Sequence, residues 1–217
     1  MYLIFLFLTC LSGCEEVDRG SLQNTKILAI GDSIFEWHIW NQHSAPEHVE
    51  MELGISVYNN ARSGSLITEE TPTGIRNQYI EGDWDWIVMD GGGNDLNTLC
   101  QCNNCSDVQD EIESKYKEFL QQLLEKEDLK ILIWGYYGLP QKAKYGFDEC
   151  HDDFEELSRR QKKLADTNQR IFFVDGREEI TGDDKSYFYI DKLHPSRKGT
   201  EVIGRQISEV IKTSITD

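Results

Sequence analysis

Five short apolar runs punctuate the chain: Lys26–Ile30, Ile55–Tyr58, Trp86–Met89, Ile131–Trp134 and Ile171–Val174. A continuous apolar run of this length, the first ending at Gly31, reads as a strand buried on both faces. Between the runs the period changes. Val108, Ile112, Tyr116, Phe119, Leu120, Leu123 and Leu124 recur at spacings of three and four and line one helical face. Phe154, Leu157, Gln161 and Leu164 repeat the pattern, and Val202, Ile203, Ile207, Val210 and Ile211 form a stripe near the C-terminus. Strands alternating with helices predict a three-layer α/β/α sandwich around a mostly parallel five-stranded sheet. Ligands bind such sheets beyond the carboxyl ends of the strands. Chemistry is therefore expected just after the apolar runs.

The first fourteen residues stand outside this alternation. Met1–Gly13 carry no charged side chain. The run is too short for a spanning helix, which needs about 20 residues, but it suits the core of a signal peptide. It closes in Leu11-Ser12-Gly13-Cys14, which resembles the bacterial lipobox. That resemblance implies a signal over 1–13, cleavage before Cys14 and lipidation of its thiol. Residues 14–25 then form a lipidated cysteine and polar tether, with the folded domain over 26–217. Such a tether reaches roughly 35–40 Å when extended. The protein would sit in the bacterial cell envelope, exported and held at a membrane by lipid alone. An ordinary secretory signal, or a buried N-terminal strand, is the alternative.

Charge narrows the partners. Asp and Glu number 39 against 22 Lys and Arg, a formal net charge of −17. Such a surface repels nucleic-acid backbones and anionic headgroups over a Debye length of ~8 Å. No nucleic-acid partner is expected. With 39% apolar residues the 217-residue chain can still build one sizeable core. The sequence carries no signal for oligomeric state.

Four short motifs fall where the sheet argument points: Gly31-Asp32-Ser33, Asn60-Ala61-Arg62-Ser63-Gly64, Gly91-Gly92-Gly93-Asn94-Asp95 and Asp191-Lys192-Leu193-His194. Ester cleavage needs a nucleophile, a base and donors for a developing oxyanion. Ser33 lies where a strand meets a helix, with backbone N–H groups facing a forming negative charge. His194 suits the base, because neutral imidazole accepts a proton at physiological pH. Asp191, three residues earlier, can fix the ring's tautomer and orientation. Gly64 can present a backbone N–H with no Cβ in the way, and Asn94 offers a side-chain amide.

In this order and company the motifs resemble those of the SGNH (GDSL-type) hydrolases, from about Lys26 to the last helix. The resemblance implies an SGNH/flavodoxin-like fold and a serine esterase acting on small acyl or acetyl esters. It assigns Ser33, His194 and Asp191 as the triad, and Ser33 N–H, Gly64 N–H and Asn94 as the oxyanion hole. No metal or organic cofactor is implied. Asp32 and Asp95 are expected to be structural, while Arg62, His38, His43 and His48 are expected to serve the surface or packing.

Cysteines fit this reading least. Cys100, Cys102 and Cys105 crowd behind the third motif, and Cys150 lies apart. In an exported chain two disulfides are the default. Of the three pairings, Cys100–Cys105 with Cys102–Cys150 is favoured, because a bridge from Cys100 to Cys102 strains the backbone. A zinc site using these thiols with His151 is the rival. The acidic run Asp148–Glu156 reads as a solvated face ahead of a calcium site, and the long connection Leu66–Asp85 is a candidate pocket wall. The competing functional class is a non-catalytic envelope lipoprotein whose cysteine cluster binds metal or a partner.

Overall fold

The computed structural model describes residues 24–216. The signal, Cys14 and nearly all of the tether lie outside the described residues. Five strands, β1 (Ile27–Ile30), β2 (Val57–Asn59), β3 (Trp86–Met89), β4 (Lys130–Gly135) and β5 (Ile171–Asp175), form one parallel sheet in the order β2-β1-β3-β4-β5. Register pairs Ile27 with Val57 on one side and with Trp86 on the other. β1 and β3 are buried along their whole length, as interior strands covered on both faces must be. β2 is one of the two edges, and its Tyr58 is exposed.

The helices are α1 (Ser33–Glu36), α2 (Ala45–Leu53), α3 (Gly93–Asp95), α4 (Ser106–Leu124), α5 (His151–Ala165) and α6 (Arg197–Thr216). α2 packs along α6, and α4 packs with α5. Trp134 on β4 donates its indole N–H to Gln206 of α6. Tyr116 of α4 and Gln161 of α5 both donate to Gly91 O, at the end of β3. The sheet is thus flanked by helices in the expected sandwich. Among the described residues no helix is long and apolar enough to cross a membrane.

Two local details differ from the sequence reading. From the sequence His38, His43 and His48 are expected on or just beyond the helix after β1, but that helix is a single turn: His38 takes a left-handed conformation, and His48 belongs to the separate helix α2. A reciprocal cap starts α2, with Ser44 N–H donating to Glu47 (2.7 Å) and the Ser44 hydroxyl accepting from Glu47 N–H. β2 also begins two residues later than its apolar run, because the left-handed cap at Gly54 holds Ile55 out of the ladder.

Strand order reverses direction between β1 and β3. Their carboxyl ends carry Gly31–Ser33 and Gly91–Asn94, so two of the four motifs meet at the topological switch point.

Candidate active site

The turn that carries Ser33 is braced by buried polar groups. Gly31 has φ 154°, and a Cβ there would lie 1.8 Å from Asp90 Oδ1. Asp32 N–H donates to that same oxygen (2.7 Å), and the Asp32 carboxylate caps α1 by accepting from Ile34 N–H (2.9 Å). Gln78, buried in the long connection, accepts from Gly31 N–H (2.7 Å) and donates to Gly31 O (2.9 Å) and the Ser65 hydroxyl (3.0 Å). That connection therefore clamps the turn through Gln78. Ser33 opens α1 and is nearly buried.

The second motif is tied to the same turn. Arg62 N–H donates to Gly31 O (3.1 Å), and Ser63 N–H donates to Glu36 of α1 (2.7 Å). Gly64 follows with φ 77° and no heavy atom within 4 Å of a built Cβ. That left-handed backbone conformation favours glycine. Asn94 Nδ2 donates to Asp32 Oδ2 (3.3 Å) and Ser65 O (3.2 Å). These lengths are at or beyond the long end of the hydrogen-bond range, so an oxyanion can compete for a proton. Ser33 and Asn94 line one pocket together with Tyr137, Leu139, Phe147 and Leu193.

The base side is a surface loop. Asp191 Oδ1 accepts from Leu193 N–H and His194 N–H, both at 3.0 Å, and Oδ2 lies 2.8 Å from His194 Nδ1. The Tyr137 hydroxyl holds Leu193 O, and Tyr189 N–H donates to His194 O (2.8 Å). Trp37 stacks on His194 with ring centres 3.7 Å apart and planes 5° apart. Trp37 N–H also donates to Ser33 O (2.8 Å). That bond is made by the Trp37 backbone, so the residue stacked on the imidazole also closes the turn that carries Ser33.

Burial drives most of the pKa shifts. Asp90 is pushed well up, first by burial and then by the Asp32 charge. Asp32 is also raised by burial, against hydrogen bonds from Ile34 and Tyr136. Asp32 has three donors, while Asp90 has one and leaves Oδ2 buried without a partner. The shared negative charge therefore belongs on Asp32. At Asp191 burial also opposes the charged form, but bonds from the His194 ring and two backbone N–H groups win and lower its pKa.

Of the other residues singled out, Asp95 accepts from Ile67 N–H, Thr68 N–H and the Thr68 hydroxyl, fixing the loop after the second motif. His38 is buried beside Trp40 and Tyr189, His43 and His48 lie ring to ring at 5.6 Å, and Arg62 is exposed. Disulfides join Cys100 to Cys105 and Cys102 to Cys150. Bridged sulfurs offer no thiolate to a zinc ion. Among the described residues no group of three His, Cys, Asp or Glu could hold a metal. The acidic run Asp148–Glu156 lies across the start of α5.

Sequence reasoning missed Trp37, Gln78 and Tyr136. Tyr136 donates to Asp32 and accepts from Gly93 N–H (3.1 Å), bridging the first and third motifs. Only Trp37 left a legible signal, lying four residues after Ser33.

Solved structures share this architecture. A carbohydrate acetylesterase family member from Sinorhizobium meliloti superposes with TM-score 0.69 at 16% identity, covering 89% of this chain and all of its own. The acetyl xylan esterase AlAXEase gives 0.69 at 18%, covering 86% and 99%. A family two carbohydrate esterase from Clostridium thermocellum in complex with cellohexaose gives 0.62 at 19%, covering 89% of this chain and 65% of that one. No curated protein matches the chain in sequence. The family profile described as GDSL-like lipase/acylhydrolase matches residues 29–202, running from β1 into α6. By that match over most of its length, the chain belongs to the GDSL-like lipase/acylhydrolase family.

Proposed function

We propose that this protein is a serine hydrolase of short-chain carboxylic esters, with acetyl the best-fitting acyl group. One observation carries the reading: Asp191 engages the His194 ring, that ring stacks on Trp37, and the Trp37 backbone N–H bonds to Ser33 O at the turn after β1. In the reaction, Ser33 Oγ attacks the ester carbonyl while His194 takes its proton, and Asp191 keeps the ring's other nitrogen engaged. Negative charge developing on the carbonyl oxygen is met by Ser33 N–H, Gly64 N–H and an Asn94 amide proton released from Asp32 or Ser65. His194 then protonates the leaving alcohol. Water, deprotonated by the same ring, cleaves the acyl-enzyme. No cofactor is required by this chemistry.

Pocket size supports a small acyl group. The cavity beside Ser33 and Asn94 holds only about 20 Å³, room for about one water-sized group, and Leu139 and Phe147 help close it. The acetylesterase names of the structural neighbours agree in direction. Ser33→Ala is expected to abolish hydrolysis of p-nitrophenyl acetate by the purified domain; an unchanged rate overturns the proposal. For the N-terminal segment we propose lipidation at Cys14, with the folded domain beginning near residue 26. Radiolabelled palmitate should enter the wild-type chain and not a Cys14→Ala chain.

A further inference from the structure

A second cleft adjoins the proposed acyl pocket without containing Ser33. It holds about 570 Å³, within the range of ligand sites (about 300–1,000 Å³). The two cavities share a thin wall. Leu139 and Leu193 line the small pocket, while their neighbours Pro140 and Lys192 line the large cleft. Ile190 and Lys192, on either side of Asp191, face into it. Anything bound there lies against the loop that holds the Asp191–His194 pair.

The lining is cationic in an anionic protein. Lys142, Lys185 and Lys192 face the cleft against one acid, Asp183. Among the described residues none of these lysines has a carboxylate within ion-pair distance, although acids outnumber bases 39 to 22. Elsewhere basic side chains are commonly neutralised: Arg160 meets Asp110 and Glu113, Arg205 meets Glu179 and Glu209, and Lys198, near this cleft, meets Asp184. Lys142 and Lys192 also hold left-handed backbone, at φ 68° and 59°, which glycine or asparagine adopts at lower cost. Exposed Tyr189 and Ile190, with Phe188, supply an apolar flank on which the C–H face of a ring can rest.

We propose that this cleft is an anion-binding subsite that receives carboxylate or phosphate groups on the alcohol side of the ester substrate. The assignment to a substrate rests on the ester-hydrolase reading; the binding of anions by the three lysines does not. An ester whose alcohol part is an anionic oligomer places its reacting acyl group beside Ser33 and a neighbouring charged unit against Lys192, Lys142 and Lys185. Neutral oligomers lack the charges that these lysines would meet.

The test uses Ser33→Ala protein, so that binding is read without turnover. Trigalacturonate and a short glycerol-phosphate oligomer are titrated separately by calorimetry, with xylotriose as the neutral control. At least one anion should bind, and the tighter one identifies the source of the charge. Adding K142Q, K185Q and K192Q should weaken that binding about tenfold, as three partly exposed charge contacts imply. Raising the salt should weaken it further. Should the triple variant fail to fold, K185Q alone, on an exposed turn, should show about a twofold loss. The proposal is overturned if neither anion binds, if xylotriose binds equally well, or if the lysine variants bind as tightly as their parent. A kinetic arm with Ser33 intact compares kcat/KM for acetylated trigalacturonate with that for p-nitrophenyl acetate, and the lysine changes should lower this ratio about tenfold. Loss of p-nitrophenyl acetate hydrolysis in Ser33→Ala without anion binding rejects the subsite alone. Anion binding with unchanged hydrolysis in Ser33→Ala rejects the hydrolase reading alone.

Discussion

Ser33 stands on a turn enclosed by sheet, with Asp90 and Gln78 buried against it, whereas His194 stands on a surface loop held by an aspartate, a tyrosine hydroxyl and one stacked indole. The first arrangement is set by strand register: once β1 and β3 pair, Gly31 and Asp90 have only one way to fit. The second is set by side chains and would survive small shifts of the sheet. A site built this way should lose stability when its nucleophile side is damaged and lose turnover when its base side is.

Changes that separate these losses test the contrast. The largest effect is expected at Asp191→Asn. Asparagine keeps an oxygen for the Leu193 and His194 N–H groups, so the loop should stay folded, but it no longer fixes the imidazole correctly. Turnover of p-nitrophenyl acetate should fall by about 10³–10⁴, with a fall in melting midpoint smaller than that of Gly31→Ala. Gly31→Ala should do the reverse in kind. Its Cβ meets Asp90 and its φ is unfavourable, so denaturant melts should show more than about 3 kcal/mol lost.

Titration sharpens the contrast, because the two sides respond to pH with opposite sign. Asp90 has a raised pKa when folded. Above the ordinary carboxylate range the folded chain keeps a proton that the unfolded chain has released, so stability falls as pH rises toward the folded value. The slope is about 1.4 kcal/mol per pH unit for one proton. Asp90→Asn should flatten that decline in melting midpoints measured against pH. Asp191, with its lowered value, contributes stability above the ordinary range that is lost as pH falls through the folded pKa. The smallest effect is expected at Trp37→Leu. Removing the stack should cost about five- to tenfold in kcat, since the face of an indole favours the imidazolium formed during reaction. A kcat within twofold of wild type would mean that Asp191 alone orients the ring.

Legibility followed the same divide. Strands covered on both faces leave unbroken apolar runs, so β1 and β3 could be read almost to the residue. Asp191 and His194 were legible because their contact is made within one loop, where spacing in sequence is spacing in space. Helix α2 was passed over because its apolar stripe is short, although Ser44 and Glu47 announce its start. Gln78 could not be read at all: a glutamine in a long connection looks like any surface residue until the fold sets it against Gly31. The left-handed conformation at Gly64 could not be read from sequence either, because it is set by the loop that follows the second motif.

The packing of α2 against α6 has a further consequence. It joins opposite ends of the described chain, as the contact between Lys212 and Glu52 across 160 positions shows. The same closure brings the loop bearing His194 to the turn bearing Ser33. On the proposed function, a partly synthesised or clipped chain can therefore form the Ser33 turn and remain inert, because the loop bearing His194 lies just before the final helix. On that proposal, recovery of hydrolysis during refolding should lag the return of sheet signal by the time that docking of this helix takes.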